Sequence, residues 1–525
     1  MDPEKVNYHY CDDLNTVPLP KKSRVLVTGA NGYVAHRLIP ELAARGYSVR
    51  CMFRARRSPP ILSHPNLEVV YADCLKKEEL WPALEGIEYA YYLIHSMREK
   101  GSRFAERDKI AAMNFVEVAK AFGVKKIIYL GGLGETTERL STHLSSRWEV
   151  GKILADSALN VVRLRAAIII GSGSASYELL KSLVLRQRWI PFLSEFNSRC
   201  QPIAIRDVIK YLVGVLETPD LPADVYPIGG EDVLTYRDLI LRFAAILQRE
   251  VRFFDISWAP LPVDLLCRTY AVWLHFFTPV PVNIATLLLG SLRSDVVCKS
   301  GEIKKYLPFA TLDFQTAVKW ALEKEAQSRV FSHWSDVPPE GMSDLLPLSE
   351  YESAEFLIDE HSLEIPAASD KVFSLIARIG GHHGWFHANL LWRIRGLLDR
   401  MMGGVGLHRG RRDVQNLRVG DSVDFFRVER LEPGKELLLR SEMISPGYSW
   451  LQFELEPVPA NGTRLTLRAH FIPYPFWGEL YWNVLLKFHA FIFKGLLRYF
   501  RREAIKLKNG GQPEGLGYGS GLKTS

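Results

Sequence analysis

The sequence predicts two folds in succession: a doubly wound parallel α/β sheet in the N-terminal part, then an α+β unit in which an antiparallel sheet ends in a long helix. Three observations carry this. Between residues 24 and 170 short apolar runs alternate with amphipathic stretches of helix length. From 355 to about 473 the apolar pattern changes to period two, and a long amphipathic segment follows from about Trp477 to Lys506.

In the first region the expected strands are Val25-Leu26-Val27, Ser48 to Phe53, Leu67 to Tyr71, Ala90 to Ile94, Lys126 to Leu130 and Val161 to Ile170. Helical patterns run from Leu38 to Ala44, Phe104 to Phe122 and Ser146 to Ala158. Parallel strands need crossover helices and are covered on both faces, so this rhythm predicts a layered sheet. Residues 171–330 are punctuated by Pro and Gly and carry helix-length pieces such as Tyr177 to Arg188 and Asp207 to Leu216. They read as a cap on the substrate side. The polar stretch from Ser332 to Ser343 reads as a linker.

In the second region Ser422 to Val428, Glu436 to Met443, Trp450 to Leu455 and Arg464 to Phe471 alternate as strands. The turns Glu432-Pro433-Gly434-Lys435 and Ala460-Asn461-Gly462-Thr463 join them as hairpins. The expected organisation is an extension over 1–22, a dinucleotide domain over 23–330 with its cap at about 171–330, a linker over 331–350, a second domain over 351–506 and a flexible tail over 507–525.

With 525 residues, 47% of them hydrophobic and 24% charged, the chain has the composition of a globular protein with more than one core. Its formal charge of +7 comes from 66 basic against 59 acidic side chains that are interspersed, which argues against a nucleic-acid surface. The six cysteines show no C-x-x-C spacing, so neither a zinc site nor a disulfide framework is expected and a cytoplasmic setting fits. The first 22 residues contain Asp2, Glu4, Asp12 and Asp13 and do not resemble a secretory signal. Thr269 to Leu292 lacks any charged residue, but Pro279, Pro281 and Asn283 divide it into what read as two buried helices joined by a turn.

The chemistry concentrates in Thr28-Gly29-Ala30-Asn31-Gly32-Tyr33-Val34-Ala35, between the first strand and the first helix. Gly29 permits a tight turn, and Gly32 lets the backbone approach a diphosphate at the helix N-terminus. This is a Rossmann-type phosphate loop. After the second strand Arg54, Arg56 and Arg57 stand where a carboxylate would hold the ribose of NAD; arginines there suit a 2′-phosphate, so NADP(H) is favoured over NAD(H). A solvated basic loop is the alternative. Asp73 and Cys74 follow the third strand, within reach of an adenine; Asp73 also suits a helix cap, and both roles are compatible.

These motifs, with Tyr71-Ala72-Asp73 and Arg163-Leu164-Arg165-Ala166, resemble the atypical short-chain dehydrogenase/reductases of the NmrA-like and extended kind. Tyr92-Leu93-Ile94-His95-Ser96-Met97, Tyr129-Leu130-Gly131-Gly132-Leu133-Gly134 and Gly171-Ser172-Gly173-Ser174-Ala175 look like bacterial two-domain proteins in which such a domain is fused to a DUF2867 domain. The C-terminal part of that family is similar to the START and polyketide-cyclase superfamily, a helix-grip fold, through Gly384-Trp385-Phe386, Leu391-Trp392-Arg393, Gly403-Gly404-Val405-Gly406, Arg409-Gly410-Arg411-Arg412 and Gly420-Asp421. The resemblance implies a pocket for a hydrophobic ligand.

Catalytic short-chain enzymes pair a Tyr with a Lys four residues later. Here the matching stretch is Ser146-Arg147-Trp148-Glu149-Val150-Gly151-Lys152, with Trp148 at the Tyr position and Gly131-Gly132 where a serine normally polarises the substrate. An indole has no proton to exchange at neutral pH. Lys152 reads as a ribose contact or an exposed helix lysine. His95 and Ser96, after the fourth strand, point to the nicotinamide side; His95 is a candidate proton donor, with a structural histidine as the alternative. Lys152 and His95 are the candidates for catalysis, and the acid stays unassigned.

In the second domain His383 and His387 have the i, i+4 spacing of helix-borne metal ligands, but no third ligand is evident and no metal is expected. Arg393, Arg395, Arg400, Arg409, Arg411 and Arg412 can hold an anion or pair with Asp399, Asp413 and Asp421; ion pairing is the simpler reading. The terminal helix, with Phe488, Phe491 and Phe493 beside Lys487, Lys494 and Arg498, fits a helix gripped by a sheet and also an interfacial helix. The gripped helix is the simpler reading, so the expected partner is an apolar small-molecule substrate, with peripheral contact at the inner face of a membrane as the alternative. The sequence sets no oligomeric state.

Overall fold

The computed structural model describes residues 10–510 apart from 21–22, 55–63, 95–102, 135–141, 257–262, 279, 283–284, 287–288, 290–291, 293, 328–329, 331, 337–346, 352–355, 414–415 and 460. The chain divides into two compact units, Met1–Glu340 and Gly341–Ser525.

The first unit is built on seven parallel strands: β1 (Arg24–Thr28), β2 (Ser48–Phe53), β3 (Leu67–Tyr71), β4 (Tyr89–Tyr92), β5 (Lys126–Gly132), β6 (Val161–Ala166) and β7 (Val225–Ile228). Their order is β7-β6-β5-β4-β1-β2-β3, and every pairing is parallel. The order reverses between β1 and β4, the place where folds of this kind take their ligands, outside the carboxyl ends of the strands. Helix α1 (Ala35–Ala44) covers one face; α2 (Lys77–Leu84), α3 (Arg103–Ala121) and α4 (Thr142–Ala155) cover the other. Val25, Leu26 and Val27 are fully buried because both faces are covered.

Two expectations are corrected here. Part of the predicted cap belongs to the sheet. Helix α6 (Ile205–Leu216) packs with α1 in the same core, and β7 pairs with β6 as the sheet's seventh strand. The cap proper has its own apolar core, formed around α5 (Ala175–Arg186), α7 (Tyr236–Ile246), α8 (Val263–Phe277) and α9 (Phe314–Ala326). The charge-free stretch contributes α8 and buried Val280, Ala285, Leu289 and Leu292 to that core; Pro279 and Asn283 lie outside the described residues.

The predicted linker also begins too early. Ser332, His333, Trp334 and Ser335 are buried in the first unit, and the Trp334 amide donates to the Gly173 carbonyl at 2.8 Å. Arg37 of α1 reaches the same place, donating to the carbonyls of Ser172 at 2.8 Å and Tyr33 at 3.1 Å and to the Ser332 hydroxyl. Residues of the predicted N-terminal extension pack here as well: Cys11 is buried, Lys210 pairs with Asp13 at 2.6 Å, and the Leu19 amide donates to the Tyr47 hydroxyl.

The second unit is a six-stranded antiparallel sheet of order β8-β13-β12-β11-β10-β9, comprising β8 (Leu357–Ile365), β9 (Ser422–Val423), β10 (Phe426–Glu432), β11 (Glu436–Ser441), β12 (Gly447–Val458) and β13 (Gly462–Pro473). Strand β8 alternates its burial along its length, so Asp359 and His361 share one face. Helix α12 (Trp477–Lys508) lies on that face: Trp482 stacks on Phe471 and Phe493 meets the His361 ring. Helices α10 (Ser369–Ile376) and α11 (Asn389–Met401) complete the unit. Among the described residues no helix is long and apolar enough to cross a membrane.

One buried charge ties this sheet together. Glu442 accepts from Arg427 Nε at 2.6 Å and Nη2 at 3.1 Å and pairs with Arg409 Nη1 at 2.6 Å. Burial alone would raise its carboxyl, but Arg427 and Arg409 overcome that and hold it at about 2 against an ordinary 4.5. A depressed folded-state value means that stability present above pH 4.5 is lost as the pH falls toward 2. Glu442→Gln leaves two buried guanidiniums uncompensated and is expected to cost about 3–5 kcal/mol. Urea unfolding of the full chain, followed by tryptophan fluorescence at neutral pH and again below pH 4, should show a large loss at neutral pH that shrinks in acid. Equal stability of variant and parent at neutral pH contradicts the assignment.

Candidate dinucleotide site

The loop after β1 is fixed by backbone geometry. Gly29 has φ +62°, and a Cβ there would stand 3.3 Å from the Leu93 carbonyl at the end of β4. A side chain is thus opposed twice, by conformation and by the neighbouring strand. Thr28 holds the two strand ends together: its hydroxyl donates to the Tyr91 carbonyl at 3.0 Å and accepts from the Leu93 amide at 2.9 Å. The Ala30 amide donates to Met52 of β2, and the Gly32 amide closes onto Gly29 at 2.8 Å. A Cβ on Gly32 would lie 3.0 Å from the Gly29 oxygen.

Helix α1 starts at Ala35 without a capping side chain and without an acidic residue in its first turn. Its positive end is therefore left for an anion. Asn31, Gly32, Tyr33 and Val34 are all partly exposed in this turn. Tyr33 contributes backbone to the loop, while its ring lies under the Arg37 guanidinium at 3.8 Å and its hydroxyl is buried against Gly171. Burial pushes that hydroxyl's pKa up.

Around the loop the remaining candidates separate. Arg54 follows β2 directly and is exposed. Arg57, like Arg56, lies outside the described residues, as do His95 and Ser96. Asp73 follows β3 and its carboxylate accepts from the Leu75 amide at 3.0 Å, so it shapes the turn before α2. Cys74 is buried, and burial pushes its thiol up. Asn114 of α3 tethers this turn by donating to the Cys74 carbonyl at 2.9 Å. Asn114 belongs to no motif of the sequence; its signal is a polar residue in an otherwise apolar stretch.

On α4, Lys152 is exposed with its Nζ 5.7 Å from the Trp148 ring centroid, and Trp148 is 42% exposed. The pair keeps the i, i+4 relation of a Tyr and Lys but with an indole in place of the phenol. A reason for the missing serine is visible beside it. A Cβ on Gly131 would lie 3.0 Å from the Tyr129 ring, and one on Gly151 of α4 would lie 3.3 Å from it. Tyr129 thus fills the space between β5 and α4, donating its hydroxyl to the Arg147 carbonyl at 3.0 Å. Burial raises it to about 12, so it keeps its proton through neutral pH. Arg165 fixes the end of β5 by donating to the Gly132 carbonyl at 3.0 Å.

In the second unit His383 ends a short 3-10 turn and His387 precedes α11, so the two do not share a helix face. Among the described residues no three His, Cys, Asp or Glu side chains form a cluster able to hold a metal. The arginines resolve into internal contacts: Arg412 pairs with Asp421 at 2.8 Å and 2.9 Å, Arg409 with Glu442, and Arg411 donates to the Ala377 and Ile379 carbonyls. Glu442 was not foreseen because an acid in an alternating strand reads as solvent-facing.

A parallel sheet with a glycine turn at its switch point and an uncapped helix behind it defines a Rossmann-type dinucleotide-binding domain. Residues 29–169 match the NAD(P)H-binding family, and residues 354–496 match DUF2867, a family of unknown function. The chain is an NAD(P)H-binding Rossmann domain joined to a DUF2867 domain.

Among curated proteins it is similar to the decarboxylating sterol-4-alpha-carboxylate 3-dehydrogenase of Bos taurus, 27% identical over 22% of this chain and 31% of that one. It is also similar to the photosystem II assembly factor Ycf39 of Synechocystis, 22% identical over 47% of this chain and 74% of that one. The match thus spans about a third of the sterol dehydrogenase. A solved nucleoside-diphosphate-sugar epimerase of Staphylococcus aureus aligns with 56% of this chain and 99% of its own at 16% identity and a TM-score of 0.46.

Gly32→Val places two methyl groups where the loop backbone would meet the diphosphate. NAD(P)H affinity, read by fluorescence titration, is expected to fall at least about tenfold, with circular dichroism melting to check that the variant is folded. Undiminished binding by the variant would remove the phosphate from this loop.

Proposed function

We propose that the protein is an NADP(H)-dependent reductase of the atypical short-chain type that acts on an apolar small molecule. The observation that supports it most directly is the uncapped start of α1 behind Gly29 and Gly32, a cradle for a diphosphate. In this reading Gly29, Asn31, Gly32, Tyr33 and Val34 hold the diphosphate, Arg54 and Arg57 the 2′-phosphate, and Asp73 and Cys74 flank the adenine. Lys152 contacts the nicotinamide ribose, and His95 and Ser96 stand on the nicotinamide side, His95 as proton donor. The bound dinucleotide supplies or accepts the hydride. Arginine after β2 favours the phosphorylated cofactor because a guanidinium forms charge-assisted hydrogen bonds with phosphate. An apolar substrate is in keeping with relatives named as sterol dehydrogenases.

A second reading follows from Trp148. With an indole beside Lys152 and a glycine held against Tyr129, the usual acid and the usual polarising hydroxyl are both absent. The dinucleotide then serves as a structural or sensory ligand, a role in keeping with the similarity to an assembly factor.

Titrating NADPH and NADH into the full chain tests the first reading. NADPH is expected to bind more tightly, and Arg54→Ala to weaken NADPH about tenfold or more while leaving NADH nearly unchanged. Tighter NADH binding that ignores Arg54→Ala defeats the cofactor assignment. NADPH consumption with a panel of apolar ketones then separates the two readings: tight binding without turnover across the panel favours the sensor.

A further inference from the structure

Helix α11 is turned the unusual way round. Its inner side carries Trp392, Gly396, Asp399 and Arg400, all buried, while Leu390, Ile394, Leu397 and Met401 form a stripe facing outward at 46–68% exposure. A surface helix normally hides such a stripe. The first half of α12 does the same: Trp477, Leu480, Val484 and Phe491 face outward at 51–66% exposure.

The two helices come near each other at two places. At one end His387, just before α11, packs its ring on Phe491 at 5.0 Å, and the space above Gly495 is filled by that same imidazole. At the other end the segment from Ile444 to Pro446 touches α11 and the residues that lead into α12. The Ile444 amide donates to Asp399 at 2.7 Å and its carbonyl accepts from Arg395 at 2.9 Å, while nearby Pro446 accepts from the Tyr474 amide at 2.9 Å. The two stripes together expose far more apolar surface than the isolated apolar residues of an ordinary soluble surface.

At this second end stands Phe476, with φ +63° and 69% exposure. A non-glycine residue in that conformation is strained, and the rings of Phe476 and Trp477 at this turn are both exposed. The border of the face is basic. From Trp477 to Arg498 the helix carries Lys487, Lys494 and Arg498 against Glu479 alone, all exposed, and Arg393 is exposed on α11.

We infer that this face is a docking surface for an anionic lipid bilayer, on which α11 and the first half of α12 lie flat with their stripes in the headgroup and acyl boundary. Apolar stripes bordered by lysine and arginine fit an interfacial site, and the charge selects anionic headgroups. Aromatic rings at the helix start sit well at a membrane surface. The inference is independent of the dinucleotide reading.

Flotation of the full chain tests it, with vesicles of phosphatidylcholine alone and of phosphatidylcholine and phosphatidylglycerol in equal parts. The protein is expected to float with the anionic vesicles, at least about tenfold less with the neutral ones, and less again as salt is raised. Two double variants, Leu397→Gln with Met401→Gln and Phe476→Ser with Trp477→Ser, should each lower partitioning at least about tenfold. Leu241→Gln, at an exposed apolar position of the first unit, should leave it unchanged. Circular dichroism melting checks that each variant is folded, and the two pairs, one on each helix, keep the test valid if either fails to fold. Failure of the parent chain to float on anionic vesicles overturns the inference, as do folded variants that float like the parent. So does a concentration-dependent dimer in sedimentation velocity that the variants abolish without any flotation, which assigns the face to a second copy of the chain.

Discussion

Everything proposed for the first unit depends on one close approach, that of the Gly29 backbone to the end of β4. The Leu93 carbonyl stands 3.3 Å from where a Cβ would be, and the left-handed φ of Gly29 turns the chain at that point into α1. Thr28 bonds to both Tyr91 and Leu93, so the two strands are locked where the sheet reverses its order. A larger residue would separate β1 from β4 and close the crevice from below. The phosphate loop is thus a consequence of sheet packing as much as of its own glycines, and α1 then presents an uncapped, acid-free first turn to whatever enters.

Legibility followed the range of the interactions. Strands β1 to β6 were readable because each is a local apolar run, and the phosphate loop because its glycines answer local backbone demands. The placement of α6 and β7 was not. An amphipathic helix and a four-residue strand look alike whether they cover a cap or finish a sheet, and only the distant pairing of Val225–Ile228 with β6 decides. Ser332 to Ser335 failed for the opposite reason. Their polar composition is that of a linker, but the hydroxyl and carbonyl of Ser332 are consumed by Arg37, a residue almost three hundred positions earlier, and the Trp334 amide by Gly173. No local pattern announces such a partner.

The catalytic side of the site was legible chiefly as a departure. Trp148 and Gly131 could be read as missing groups, but the reason for Gly131 could not, because it lies in the ring of Tyr129, which occupies the volume a serine would need. Tyr129 in turn is held by the Arg147 carbonyl and by the space that Gly151 leaves. The two glycines and the tyrosine form one packing solution, so restoring a serine alone would collide with it. This couples the loss of the usual polarising group to the core of the domain rather than to a single substitution.

The second unit shows how a correct periodicity can still leave orientation open. Leu390, Ile394, Leu397 and Met401 recur at helical spacing, and that pattern alone predicts a stripe facing a core. The buried side of α11 is instead its most polar one: Asp399 is fully buried and accepts from the amides of Gly406 and Ile444, so the neighbouring loops depend on it. A hydrogen-bonded buried carboxylate must stay inward, since exposing it would leave two amides unpaired while Trp392 lost its packing. The apolar stripe is therefore forced outward by what the other side of the helix has to hold. An exposed stripe fixed in this way is a built feature of the fold, and it needs something apolar to cover it.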